Sequence, residues 1–228
     1  MEKKTFVLGT KKCIAYLKGE PEVLLIQPAS GDEEGFLDAQ VKAIEEGTDK
    51  GFMLVSFHID DWNRELSPWQ APAVFGDEGF GNGAEETLRL ISEKLIPSVK
   101  EKYDLNADIP ICLGGYSLAG LFSLWCMYDT DVFSCVCGVS PSVWFEGWDE
   151  FISSHDPKVS AVYLSLGKKE EKTKNKTMAR VGDRIKEQYD QLTRLGKKCI
   201  LEWNEGGHFN DPGGRCAKGF IWCINNED

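Results

Sequence analysis

Ile109-Pro110-Ile111-Cys112-Leu113-Gly114-Gly115-Tyr116-Ser117-Leu118-Ala119-Gly120-Leu121-Phe122 runs from an apolar stretch of strand length into paired glycines, one serine and a second apolar stretch. That second stretch continues through Leu124, Trp125 and Met127 as a helix, so the reading is strand, sharp turn, helix. Ser117 stands at the turn. Gly115 and Ala119, two residues before and after it, must be small because they lie against the serine backbone in so tight a bend. This is the nucleophile-turn pattern G-x-S-x-G, with Ala119 in the last position and Gly120 beside it. A serine that merely caps a helix would leave a similar string, so the reading requires partners for Ser117 elsewhere in the chain.

Working outward, apolar strands alternate with helical patterns. Before the turn come a short hairpin over Thr5 to Leu8 and Cys13 to Leu17, a strand from Val23 to Gln27, and a helix faced by Phe36, Leu37, Val41 and Ile44 and closed by Gly47. Phe52 to Ile59 is a strand apolar on both faces. Residues 60–84 carry loop signals with Trp62, Trp69, Phe75 and Phe80, a length of irregular chain that points to a border of the site. Leu88, Ile91, Leu95, Val99 and Tyr103 repeat at helical spacing, predicting a helix from Glu85 to Tyr103 bent at Pro97. After the Ser117 helix come strands from Val132 to Val139 and Val159 to Leu166, a basic helix from Met178 to Leu195, a strand from Lys198 to Trp203 and a final helix carrying Cys216, Phe220 and Cys223. The alternation predicts an α/β fold with a mostly parallel sheet and helices on both faces, formed by residues 1–228 as a single domain without a separate cap. In such sheets reactive groups gather at the carboxyl ends of the strands.

Composition narrows the function classes. The net charge of −11 argues against nucleic acid and anionic membranes as partners. Lys168 to Lys198 holds eleven Lys or Arg against five Asp or Glu, so this segment carries +6 within an acidic chain. The amino terminus shows neither a signal-peptide core nor an apolar span, which predicts a cytoplasmic protein. The eight cysteines sit mostly in apolar runs with no CxxC pair and read as buried thiols. Cys135 and Cys137 share a strand face but lack a third ligand, so no metal and no cofactor is expected.

There are three histidines. His58 lies inside a strand and reads as packing; His155 sits in a surface turn, Ser-Ser-His-Asp-Pro. His208, between Gly207 and Phe209 after the last strand, occupies the place of the base in a nucleophile, acid, histidine order. For the acid, the strand ending at Leu166 runs into Gly167-Lys168-Lys169-Glu170-Glu171, with Glu170 the first choice and Glu171 the second. Oxyanion donors would be the Leu118 N–H and one from the loop after the Val23 strand; Pro28 has no N–H, which leaves Ala29, with Ser30 as the alternative. Trp62, Trp69, Trp144 and Trp148, together with Tyr116 of the turn, are candidates for lining the substrate pocket, Trp69, Trp144 and Tyr116 before the others.

The order Ser117, Glu170, His208 on three strand ends resembles the α/β-hydrolase superfamily, and more narrowly the serine esterases related to esterase D and enterobactin esterase. The likeness runs from about Val23 to Trp222. Its marks are Gly-Gly-Tyr-Ser-Leu-Ala-Gly, the Gly-x-Gly-Ala and Leu-Ile-Pro segment from Gly81 to Pro97, Ser-Pro-Ser-Val-Trp at Ser140, and Gly-Gly-His-Phe at Gly206. In that family the acid stands three residues after the strand-end glycine, which favours Glu170, with Glu in place of the usual Asp. The resemblance implies a serine carboxylesterase that cleaves a small-molecule ester through an acyl-enzyme. An acyltransferase on the same triad and a non-catalytic binding protein of the same fold are the rival readings, and a homodimer is left open.

Overall fold

The computed structural model describes residues 1–226, apart from the side chains of residues 32–34. Its centre is an eight-stranded sheet in the order β1-β2-β4-β3-β5-β6-β7-β8. The strands are β1 (Glu2–Leu8), β2 (Lys11–Lys18), β3 (Val23–Ala29), β4 (Phe52–His58), β5 (Ile111–Tyr116), β6 (Cys135–Val139), β7 (Ala161–Gly167) and β8 (Lys198–Asn204). The pairs from β4 through β8 are parallel, while β1 with β2 and β2 with β4 are antiparallel. Parallel strands covered on both faces must be apolar at successive positions, and β3, β5, β6 and β7 are buried along their whole length.

The period-two alternation of those strands divides the core. Leu24, Ile26, Leu113, Val136 and Val162 face one apolar layer; Val23, Leu25, Cys112, Cys135 and Ala161 face the other. The first layer is closed by α3 (Ala84–Arg89) and its continuation, α5 (Leu118–Asp129), α6 (Trp148–Ser154) and α7 (Val181–Arg194), represented by Leu88, Phe122, Trp148 and Ile185. The second is closed by α1 (Gly31–Gly47) and α8 (Pro212–Ile224) through Leu37, Val41, Ile44 and Phe220. The fold class read from the sequence is the one observed.

Three elements differ from expectation for physical reasons. The hairpin strands run longer, to Glu2 and Lys18, because β1 lies at an edge where charged residues remain solvated and apolar spacing does not mark its ends. The helix through Pro97 stays continuous from α3 through a π-helical stretch, Leu90–Leu95, into α4 (Ile96–Tyr103). Proline has no N–H to donate and crowds the carbonyl four residues back; widening the turn before it accommodates both, with the Ile96 N–H bonding to the Ile91 carbonyl. Residues 60–84 hold a short helix, α2 (Trp62–Glu65), and a bridge between Ala71 and Phe80. That segment packs Phe80 against Trp144 and Phe145 in the chain after β6.

Candidate active site

Ser117 occupies the one-residue turn between β5 and α5 with φ 59° and ψ −120°, a conformation costly to a residue with a side chain. The neighbourhood holds it there. Its N–H donates to the Val139 carbonyl at 3.0 Å, and its own carbonyl accepts from Ser142 N–H and Leu121 N–H, each at 3.0 Å. A Cβ on Gly115 would meet the Ala119 backbone at 2.5 Å, and one on Gly120 would meet the Gly115 carbonyl oxygen at 2.9 Å. The close approach therefore falls on Gly115 and Gly120, which is why a methyl is accommodated at 119.

Ser117, Glu170 and His208 come from loops after β5, β7 and β8 and meet at one sheet edge. His208 Nε2 lies 3.0 Å from Ser117 Oγ, and His208 Nδ1 lies 2.7 Å from Glu170 Oε2. A proton on Nδ1, donated to the carboxylate, leaves the Nε2 lone pair facing the hydroxyl. Glu170 closes a tight turn back on Gly167, whose N–H donates to Oε1 at 2.7 Å; Ser140 Oγ donates to the same oxygen at 2.7 Å. Burial opposes ionisation of Glu170, yet the His208 hydrogen bond and charge, with the Ser140 and Gly167 donors, outweigh it and hold the carboxyl below its ordinary 4.5. Glu171 is exposed and its carboxylate lies towards Gly182 at the start of α7.

Arg215, which the sequence reading left unremarked on the last helix, is buried beside Glu170, with Nη1 2.9 Å from Oε1. Spacing gave little signal: Arg215 stands one residue before Cys216, about a quarter turn from the face that Cys216 and Phe220 share on α8. Tyr116 is buried next to His208, its hydroxyl donating to the His208 carbonyl oxygen. Burial pushes this phenol up to about 12, so it stays protonated.

For the oxyanion donors, Leu118 opens α5, where first-turn N–H groups have no partner within the helix. Ala29 is the last residue of β3. Pairing of β3 with β5 stops at Ile26 and Leu113, and the register carried forward sets Ser30 level with Ser117. The Ala29 carbonyl accepts from Ile59 N–H in the ladder with β4, so the Ala29 N–H also faces β4 and the expected donor role does not fall to it, which leaves Ser30, the alternative. Strands β3 and β5 part just below Ser117, as at the crevice where open α/β sheets bind ligands.

The tryptophans divide. Trp144 is half-buried and lines a cavity of about 210 Å³ with Val74, Phe80, Asn175 and Thr177. Trp69 donates through Nε1 to the Glu146 carbonyl at 2.8 Å and stacks on Trp148, within an aromatic cluster with Phe145 and Phe151. His58 is half-buried at the end of β4 with Asp60 3.7 Å away, and exposed His155 stacks on Phe151 at 4.2 Å. Away from the site, Cys112, Cys135 and Cys223 place three buried thiols within 4.8 Å of one another, a meeting that strand register creates and linear spacing hides.

The family model "Putative esterase" matches residues 18–205. A Bacillus subtilis protein, "Uncharacterized protein YbbA", is 29% identical over 153 residues, 63% of this chain and 60% of that protein. The chain thus spans about three fifths of the length of this curated relative. Among solved structures, an IroE-like serine hydrolase from Shewanella oneidensis superposes with a TM-score of 0.80 at 15% identity, covering 98% of this chain and 80% of that one. The siderophore hydrolase EstA from Aspergillus nidulans superposes at 0.73 and 17% identity, covering 98% and 94%. At such identities the likeness is one of fold. No helix among the described residues is long and apolar enough to cross a membrane.

Proposed function

This chain belongs to the Esterase family, and from that premise we propose that it hydrolyses a small-molecule carboxylic ester with Ser117 as nucleophile, His208 as general base and acid, and Glu170 as the orienting acid. The observation that carries the reading is the unbroken chain from Ser117 Oγ to His208 Nε2 at 3.0 Å and from Nδ1 to Glu170 at 2.7 Å.

Ser117 Oγ attacks the ester carbonyl carbon as its proton passes to Nε2, and the carbonyl π electrons move onto oxygen. The Leu118 N–H, with the Ser30 N–H opposite, would receive that oxyanion. Collapse breaks the bond to the alkoxide, which takes the proton back from Nε2 and leaves as alcohol. Water then repeats the sequence on the acyl-enzyme, releasing acid and restoring the serine. Glu170 stabilises the imidazolium that exists between the two proton transfers.

An anionic ester fits the rim. Lys168, Lys169, Lys172, Lys174 and Lys176 are exposed on the segment that follows Gly167, and Asn175 ties that segment to the Val74 carbonyl beside the Trp144 cavity. Among the similar structures are two siderophore hydrolases from Aspergillus nidulans and an enterobactin esterase from Shigella flexneri, which makes siderophore esters a reasoned first panel. The test is labelling by a fluorophosphonate, read alongside turnover of neutral and anionic esters. Ser117→Ala should lose both labelling and turnover. Turnover undiminished in Ser117→Ala overturns the mechanism, and equal kcat/KM for neutral and anionic esters at low salt overturns the charge preference alone.

A further inference from the structure

The Arg215 side chain is 3% exposed, a burial that a guanidinium tolerates when charge and hydrogen bonds compensate its lost hydration. Its two ends hold different things. Nη1 donates to Glu170 Oε1 at 2.9 Å, to Ser140 Oγ at 3.0 Å and to the Tyr116 hydroxyl at 3.4 Å. Nη2 donates to the Glu205 carbonyl at 2.8 Å and the Gly207 carbonyl at 2.9 Å, both in the loop that carries His208. One planar fork therefore grips the carboxylate oxygen that His208 does not use and, separately, the backbone on which His208 rides. Space around it is spent: a Cβ on Gly167 would meet the Gly206 carbonyl oxygen at 2.7 Å, Glu170 Oε1 at 2.8 Å and Arg215 Nη2 at 2.9 Å.

We propose that Arg215 is a positioning residue of the hydrolase: its guanidinium locks Glu170 and the His208 loop into one unit and sets a buried positive charge beside the carboxylate. The inference rests on the serine-hydrolase reading above. With Oε1 taken by Arg215, Ser140 and the Gly167 N–H, Oε2 is left to His208. The carboxylate cannot rotate without breaking those bonds, so the imidazole is presented in one tautomer and one orientation.

The charge has a second consequence. The groups that face the Glu170–His208 pair are Ser117 and Tyr116 from the end of β5, Ser140 after β6, and Arg215 from α8, with Cys216 next to it; Lys168, Lys169 and Glu205 stand at the solvent rim. Of the buried members, Arg215 carries the permanent positive charge. Removing it leaves an uncompensated Glu170 carboxylate facing the imidazole, which favours imidazolium, so the acid limb of kcat/KM moves to higher pH. A lysine keeps the charge but cannot form the fork.

The test compares Arg215→Lys and Arg215→Met on a small ester whose hydrolysis Ser117→Ala has been shown to abolish. Arg215→Lys should lower kcat about 10- to 100-fold, as expected for a misplaced catalytic group, with KM within about twofold and the acid limb unmoved. Arg215→Met should lower kcat further and move that limb up by about one pH unit. Melting curves on the same samples correct for unfolded protein. If Arg215→Met does not fold, Arg215→Lys decides: wild-type kcat per folded molecule overturns the proposal, whatever the loss in melting temperature. An unmoved limb in folded Arg215→Met overturns the electrostatic half. Activity retained in Ser117→Ala would instead overturn the triad reading on which the proposal stands.

Discussion

The same three elements, β5, β6 and α8, build two buried clusters of titratable side chains, one at each end. At the carboxyl edge of the sheet, Tyr116 of β5, Ser140 just after β6 and Arg215 of α8 surround Glu170. Four residues back along β5, and eight onward along α8, Cys112 and Cys223 meet Cys135. At about 3.3 Å per strand residue and about 1.5 Å per helix residue the two separations agree, near 12–13 Å. The upper cluster is ionic, and its carboxylate has a donor on each oxygen. The lower one is made of free thiols: burial pushes Cys135 and Cys223 up and keeps them protonated, while their hydrogen bonds to Cys112 hold that third thiol down. Neutral thiols fill a parallel-sheet core as small apolar groups. A carboxylate and a guanidinium are costly in that core, and replacing such a pair with apolar groups is often neutral or stabilising. The proposed triad beside them would account for their presence at the strand ends.

If that contrast is right, substitutions in the upper cluster act chiefly on turnover. The largest effects belong to Ser117→Ala and His208→Ala, each expected to lower kcat by at least about 10⁴-fold while leaving the fold intact. Circular dichroism and single-turnover assays on the purified variants check both. Glu170→Gln removes the carboxylate without changing its shape and should cost about 10³- to 10⁴-fold, because an amide can hold the unproductive imidazole tautomer. Glu171→Gln should stay within about twofold, since its carboxylate lies towards Gly182 outside the chain of hydrogen bonds. A reversal of those last two results would move the acid to 171.

Glu170 also makes stability depend on pH, in a direction the structure fixes. Its pKa is lower folded than unfolded, so its contribution is present above its ordinary 4.5 and is lost as pH falls through the depressed folded value. Melting temperature should therefore decline below about pH 4.5 in the wild type, and Glu170→Gln should flatten that decline. An equally steep decline in the variant would assign the acid sensitivity to other carboxylates.

The chain announces the turn at Ser117 because its tightest demands are local: the nearest contacts of a Cβ on Gly115 or Gly120 are with Ala119 and with Gly115, all within six residues. Strand positions were legible for the same reason, since β3, β5 and β7 are apolar on both faces. Strand ends then indicated where Glu170 and His208 should be sought. Arg215 was not legible as a member of the cluster, because an arginine in a helix ordinarily faces water and its partners are Glu170, Ser140 and Tyr116, far away in sequence. The thiol cluster was hidden likewise. The expectation that Cys135 and Cys137 lack a third ligand rested on linear spacing, whereas the thiols beside Cys135 come from β5 across the register and from α8. The π-helical turn before Pro97 leaves no mark of its own, since the apolar spacing of Leu88, Ile91, Leu95 and Val99 suits a bent α-helix equally well.

The smallest effect on turnover should come from the thiols. Cys223→Ser exchanges a weakly polar thiol for a hydroxyl in a site lined by Cys112, Cys135 and apolar side chains, and a buried hydroxyl with poor partners costs about 1–3 kcal/mol. In a chain of this size that lowers the melting temperature by roughly 2–10 °C, while kcat per folded molecule stays at the wild-type value. Cys223→Ala, which leaves a small void and no hydroxyl, should cost less. The opposite ordering, with serine tolerated better than alanine, would mean that the three positions share polar hydrogen bonds rather than apolar packing. Elemental analysis supplies the sharper break: one equivalent of a thiophilic ion retained by the wild type and lost in Cys223→Ser would require ionised sulfurs. The lower cluster would then join the upper one as a charged site.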